Sequence, residues 1–137
     1  MTPDQMRDRL SSARVARLAT VTPSGAPHLV PICFVLEGDT AYSAVDRKPK
    51  RTPELQRLAN TAAEPRVCLL ADHYEENWSG LWWVRADGHA ATLPPGTDAE
   101  RAVDLLAEKY EQYRSSRPPG PVLRIQIDRW RGWSASD

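Results

Sequence analysis

The sequence predicts a mainly β, α+β fold: a small antiparallel barrel of about six strands with three covering helices. Three observations predict it. Extended runs follow one another through tight turns, which requires antiparallel pairing. Helical periodicity is confined to three stretches, the longest falling late in the chain. The 137 residues are 41% hydrophobic and 26% charged, without repeats or a dividing linker, which places one globular domain over residues 1–137.

Thr2 is a good N-cap, Pro3 suits the first helical turn and Gln5 completes a capping-box spacing. A short helix is expected to about Ala13, burying Met6 and Leu10. From Val15 to Val21 the period changes to two, ending at the turn Thr22 to Gly25. A second extended run, Pro27 to Leu36, leads through the Gly38 hairpin turn to a partner strand, Ala41 to Val45. Pro53 starts a second helix that carries Leu55 and Leu58 and stops near Asn60. Arg66 to Ala71 reads as a short buried strand, and Leu81 to Leu93 as another strand or a hairpin, with Gly88 a candidate bulge. Asp98 to Tyr113 is the strongest helix, with Val103, Leu106, Tyr110 and Tyr113 on one stripe. A Pro/Gly loop then leads to a closing strand, Val122 to Ile127.

Charge and composition narrow the function. Eighteen basic residues cancel eighteen acidic ones, which argues against a general nucleic-acid binder. The apolar runs fall far short of the ~20 residues that cross a bilayer, and the charged start MTPDQMRDRL lacks the apolar core of a secretory signal. Cys33 and Cys68 lie in apolar runs without C-x-x-C spacing. They are expected to be buried reduced thiols of a cytoplasmic protein. His28, His73 and His89 show no ligand spacing, so no metal is expected. Asp72, Glu75 and Glu76 read as a solvated loop before a cation site. There is no nucleophile elbow, dinucleotide fingerprint or P-loop. With so little acid–base machinery, any reactive atoms are expected to belong to a bound cofactor.

Two segments stand out. Arg47, Lys48, Lys50 and Arg51 fall within five positions directly before Thr52-Pro53-Glu54. The cations therefore reach a helix N-terminus, whose free N–H groups and dipole already favour an anion. A solvated basic loop is the plain alternative. The second segment is aromatic: Trp78, Trp82 and Trp83 lie within six residues. In a strand, adjacent Trp82 and Trp83 face opposite sides. One enters the core, and the other needs a partner subunit or a flat ligand.

These segments also carry a resemblance. RVARLATVTPSGAPHLVP, from Arg14 to Pro31, resembles the opening hairpin of the pyridoxamine 5′-phosphate oxidase-like split β-barrel proteins. DRKPKRTPEL is similar to their phosphate-binding stretch, and PRVCLLAD to the strand that follows. DHYEENWSGLWWVRADGHA and the ending RWRGWS resemble the branch that uses the deazaflavin coenzyme F420 in place of FMN. The resemblance covers nearly the whole chain. It implies a cytoplasmic homodimer with two cofactor sites in clefts between subunits and a small-molecule acceptor.

Carried over by position, the resemblance makes Lys50, Arg51 and Thr52 phosphate-binding residues, with either Lys50 or Arg51 the main contact. Lys48 and Ser43 match a basic and a small polar position beside them. Val30, Pro31, Ile32 and Cys33 match the strand along the tricyclic ring, where Pro31 leaves only backbone contacts. Trp78 and Trp83 match aromatic positions supplied by the partner chain. The implied activity is hydride transfer from reduced F420 to a planar conjugated acceptor. FMN-dependent oxidase or flavin reductase activity, and non-catalytic F420 binding, are the alternatives.

Overall fold

A computed structural model describes residues 1–45 and 53–136. Seven strands form one antiparallel sheet: β1 (Ala16–Val21), β2 (Pro27–Ile32), β3 (Val35–Glu37), β4 (Thr40–Ala44), β5 (Arg66–His73), β6 (Trp82–Leu93) and β7 (Val122–Ser134). The helices are α1 (Pro3–Ser12), α2 (Pro53–Ala63), α3 (Thr97–Lys109) and α4 (Glu111–Ser115), with a 3-10 turn at Trp78–Gly80. The spatial order is β2-β1-β5-β6-β7-β4-β3.

β2 and β3 occupy opposite edges of this sheet, yet only Cys33 and Phe34 separate them in the chain. The sheet must therefore curl until its edges meet at that joint, which makes it a barrel with a seam. The expected single strand from Pro27 to Leu36 is thus two strands with a corner. The corner's backbone groups have lost their ladder partners and take side chains instead. Phe34 N–H donates to the Tyr110 hydroxyl (3.1 Å), whose oxygen also lies 3.0 Å from Phe34 O and 2.9 Å from Arg14 O. The Ser43 hydroxyl donates to Cys33 O at 2.8 Å.

Inside the barrel, Leu10, Leu18, Phe34, Leu69, Val84 and Ile125 are fully buried. α1 plugs one end through Met6 and Leu10, and its capping box is complete. Trp82 packs against this core while Arg9 covers its ring at 5.1 Å. A second cluster joins α3 and α4 to the outer side of β4 and β7 through Leu106, Tyr110, Tyr113 and Val122. Gly25, in the β1–β2 turn, has φ +91°, a conformation that favours glycine.

Several boundaries differ from expectation for identifiable reasons. The late helix breaks at Tyr110, whose extended backbone (φ −115°, ψ 117°) separates α3 from α4 and brings its ring to the joint. α2 runs past Asn60, which is fully buried and donates to Thr20 Oγ1 at 3.0 Å. The closing strand continues to Ser134 because the bulge at Asp87/Gly88 restores pairing with β6. A Cβ on Gly88 would sit 2.1 Å from Gln126 O, so only glycine fits this bulge.

Tyr110→Phe leaves the buried Phe34 N–H without its acceptor. It should lower the unfolding free energy by about 1–3 kcal/mol, measured by urea denaturation; an unchanged midpoint would contradict the role given to this hydroxyl.

Candidate functional site

β2 is an edge strand, and its register decides what it offers. Thr22 N–H donates to Ala26 O across the turn, so Thr22 and Ala26 are a hydrogen-bonded pair. Alternation along the β1–β2 ladder then makes Thr20–His28, Leu18–Val30 and Ala16–Ile32 bonded pairs as well. The backbone groups of Pro27, Leu29 and Pro31 consequently point away from β1. Two prolines are tolerated there because those positions need no ladder donor. No described strand pairs with that edge, and this free edge presents the Leu29 N–H together with the carbonyls of Pro27, Leu29 and Pro31.

Side-chain alternation separates the four residues assigned to this strand. Ile32 is buried and Val30 packs against the core, whereas Pro31 and Cys33 are exposed. Cys33 is therefore not the buried thiol expected from its apolar neighbours, because the corner turns it outward. Cys68 is half-buried. Burial, reinforced by the Asp87 carboxylate, pushes its thiol up, so it stays protonated.

The outward face of the sheet continues from β2. Leu29 lies opposite Ala19, Pro31 opposite Arg17 and Arg17 opposite Leu70. Farther across, Asp72 pairs with Trp83, and Trp83 with Trp133. Leu29 is 66% exposed and Trp133 47%, with Val21 and Leu70 also accessible. Ion pairs cross the same face: Arg85 to Asp87 at 3.0 Å and Arg17 to Asp72 at 3.9 Å. Trp83 and Trp82 face opposite sides as the alternation requires. Trp78 sits in the 3-10 turn, 66% exposed, with Tyr74 edge-on at 6.4 Å.

Trp133 and Arg131 extend this face; the RWRGWS ending carries both, but a last strand ended at Ile127 leaves them out of the site. The signal was the alternation of Arg129, Arg131 and Trp133 with Trp130 and Gly132. Glu75 is occupied by His73 Nε2 at 2.6 Å, and among the described residues no three His, Cys, Asp or Glu side chains cluster as metal ligands.

A polar layer lies beneath α2. Ser43, at 1% exposure, is close to Arg57, whose Nη2 lies 3.5 Å from Ser43 Oγ and 3.3 Å from Ala44 O. Asn60 accepts from Gln56 at 2.7 Å while holding Thr20. Lys48, Lys50, Arg51 and Thr52 lie outside the described residues. Two cavities, of about 390 and 650 Å³, are lined by none of the described residues assigned to the site. No described helix is long and apolar enough to cross a membrane.

Lys109 stands beside the joint. Its Nζ lies 3.9 Å from the Phe34 ring centroid and is buried with no hydrogen-bond partner among the described residues. Burial, then the Arg14 cation, push its pKa down to about 8, with Cys33 acting in the opposite direction.

Comparison with known proteins places this geometry. The family described as pyridoxamine 5′-phosphate oxidase matches residues 2–134. A conserved hypothetical protein of Mycobacterium tuberculosis superposes with a TM-score of 0.80 at 22% identity, over 98% of this chain and 86% of that one. A FAD-binding protein of Mesorhizobium loti gives 0.75 at 21% identity, over 96% and 94%. The haem storage protein HutZ of Vibrio cholerae gives 0.71 at 13% identity, over 96% and 93%. No curated protein matches the sequence significantly.

The Lys109 amine makes a pH prediction. Its folded pKa lies below the ordinary 10.5, so the unfolded chain binds the proton more tightly between about 8 and 10.5, and this group's contribution to stability rises with pH through that window. Lys109→Met should be more stable than the native protein at neutral pH, with the difference shrinking as pH rises to 10.5. Denaturation midpoints of both proteins across that range check this; a gap that widens with pH would contradict it.

Proposed function

This chain belongs to the pyridoxamine 5′-phosphate oxidase family, and within that family we propose that it is a cytoplasmic, homodimeric F420-dependent oxidoreductase. It transfers a hydride from the reduced deazaflavin to a planar conjugated organic acceptor. One observation carries this reading: the free edge of β2 shares an accessible sheet face with the Trp83–Trp133 pair.

That combination suits a flat ring with a pyrimidine-like edge. The Leu29 N–H and neighbouring carbonyls complement an edge that alternates acceptors and donors, and exposed Pro31 brings the backbone close without a long side chain. Leu29, Val21, Leu70 and Trp133 are too accessible for a lone soluble barrel, and a second copy of the chain would cover them. A cleft between two copies then supplies the enclosure that the described residues of one chain lack. Trp78 and Trp83 of the second copy wall the acceptor pocket. Lys50 and Arg51, with Thr52 and Lys48, hold the phosphate at the start of α2. Bound F420 supplies a two-electron hydride donor, and the chain supplies placement in a dry slot. Solvent supplies the proton that completes the reduction.

F420 is preferred to FMN because the Trp78–Trp83 segment and the RWRGWS ending resemble the deazaflavin-using branch. The FAD-binding protein among the similar folds keeps a flavin reading in view, either an FMN oxidase or a flavin reductase. A non-catalytic carrier would bind F420 tightly yet show no acceptor-dependent oxidation of the reduced coenzyme.

Titration by fluorescence quenching decides the cofactor: F420 should bind, whereas micromolar FMN affinity without F420 affinity would overturn the choice. Lys50→Ala or Arg51→Ala should each remove one charge-assisted phosphate contact, about 1.5–3 kcal/mol or roughly 10- to 150-fold in affinity. Unchanged affinity in both variants would leave the basic loop without this role. Leu29→Asp should convert the dimer to a monomer in sedimentation and abolish F420 binding; a variant that remains dimeric would remove the face from the interface.

A further inference from the structure

Ser43 matches a small polar cofactor-binding position beside the phosphate-binding residues, and its surroundings give its hydroxyl another task. At 1% exposure, its hydroxyl donates to Cys33 O (2.8 Å) and lies 3.5 Å from Arg57 Nη2. A hydroxyl has one donor, and in Ser43 the corner between β2 and β3 uses it. Arg57, 4% exposed, also reaches Ala44 O. Three residues farther along the helix, Asn60 grips Thr20 on β1. α2 therefore holds both sides of the seam: β4 through Arg57 and β1 through Asn60. The Cys33 corner lies between them, at the end of the strand assigned to the ring.

We propose that Ser43 and Arg57 are positioning residues for the cofactor ring. Through the Cys33 carbonyl they fix where the end of β2 lies against α2, and Ser43 does not contact the phosphate. This rests on the proposed cofactor reading and adds to it. The chain Arg57–Ser43–Cys33 links the helix that follows the basic loop to the strand at the ring, so the two ends of one ligand are held at a set separation. A shift of the corner moves the ring strand while leaving the anion contacts as they were.

Two measurements on the full-length protein test this. The first is affinity for whichever of F420 and FMN the native protein binds, together with the inhibition constant of inorganic phosphate as competitor. Ser43→Ala should weaken the cofactor about tenfold and leave the phosphate constant within twofold. A Ser43 that ligates phosphate would weaken both in parallel, as would general loosening of the site, and either result overturns the proposal. Arg57→Lys keeps the cation but loses the planar fork, and should show a smaller loss with the same split. The second measurement is amide hydrogen exchange without ligand. Ser43→Ala should speed exchange at residues 33–35 and in the first turns of α2 together. Acceleration at the corner alone would break the link and overturn the proposal. A native protein that binds neither F420 nor FMN removes the cofactor reading itself. That outcome is distinct from one in which the native protein binds and the variants lose ring and phosphate equally.

Discussion

The two-residue corner at Cys33 and Phe34 is the constraint from which this structure follows. Consecutive strands at opposite edges of a seven-stranded sheet force the sheet to close, and closure buries backbone groups that no strand satisfies. Tyr110 and Ser43 answer that cost from two directions, one from the helical layer and one from β4. Burial, the largest influence on the Tyr110 hydroxyl, pushes its pKa up and keeps it a proton donor. Loss of either partner would expose a buried polar group to an apolar setting, where each costs of the order of 1–3 kcal/mol. The seam also creates the functional opportunity. It leaves β2, like β3 at the other side, with a backbone edge that no described strand pairs, and edges of that kind either invite another chain or are put to use.

The polar layer under α2 explains how this edge is held still. Ser43, Arg57, Asn60, Thr61 and Thr20 are the buried polar residues among those described, and they lie in α2 or beneath it. Hydrogen bonds are directional where apolar packing is not, so this layer fixes the helix in one orientation across the seam. The outward face, by contrast, mixes apolar side chains with two ion pairs. In the proposed dimer that mixture would give a second copy both area and register, while the pairs themselves contribute little because they are exposed.

Much of this was legible in the sequence. The capping box at Thr2 and Gln5, the turn at Thr22–Gly25, the bulge at Gly88 and the opposite faces of Trp82 and Trp83 are dictated by short-range geometry, and short-range patterns record them. What the sequence concealed were long-range demands. Nothing local to Phe34 announces a corner, because the need for it arises from the pairing of β4 with β7, whose partners lie 78 to 86 positions apart. Tyr110 looked like one more residue of an apolar helical stripe, yet its hydroxyl is required at the joint. Asn60 resembled a helix stop because its partner, Thr20, lies 40 positions away. Trp133 was hidden because a bulge offsets the alternation that would have extended its strand.

The proposed function requires a deazaflavin along the free edge of β2, between two copies of the chain. A crystal structure of the protein grown with F420 tests it most directly. The ring should lie against Leu29–Cys33 of one copy, with Trp83 of the other copy across the cleft and the phosphate at Lys50 and Arg51. A ring bound instead in the 650 Å³ cavity between Pro94–Gly96 and Pro118–Pro121, or a single copy with β2 facing solvent, would contradict it.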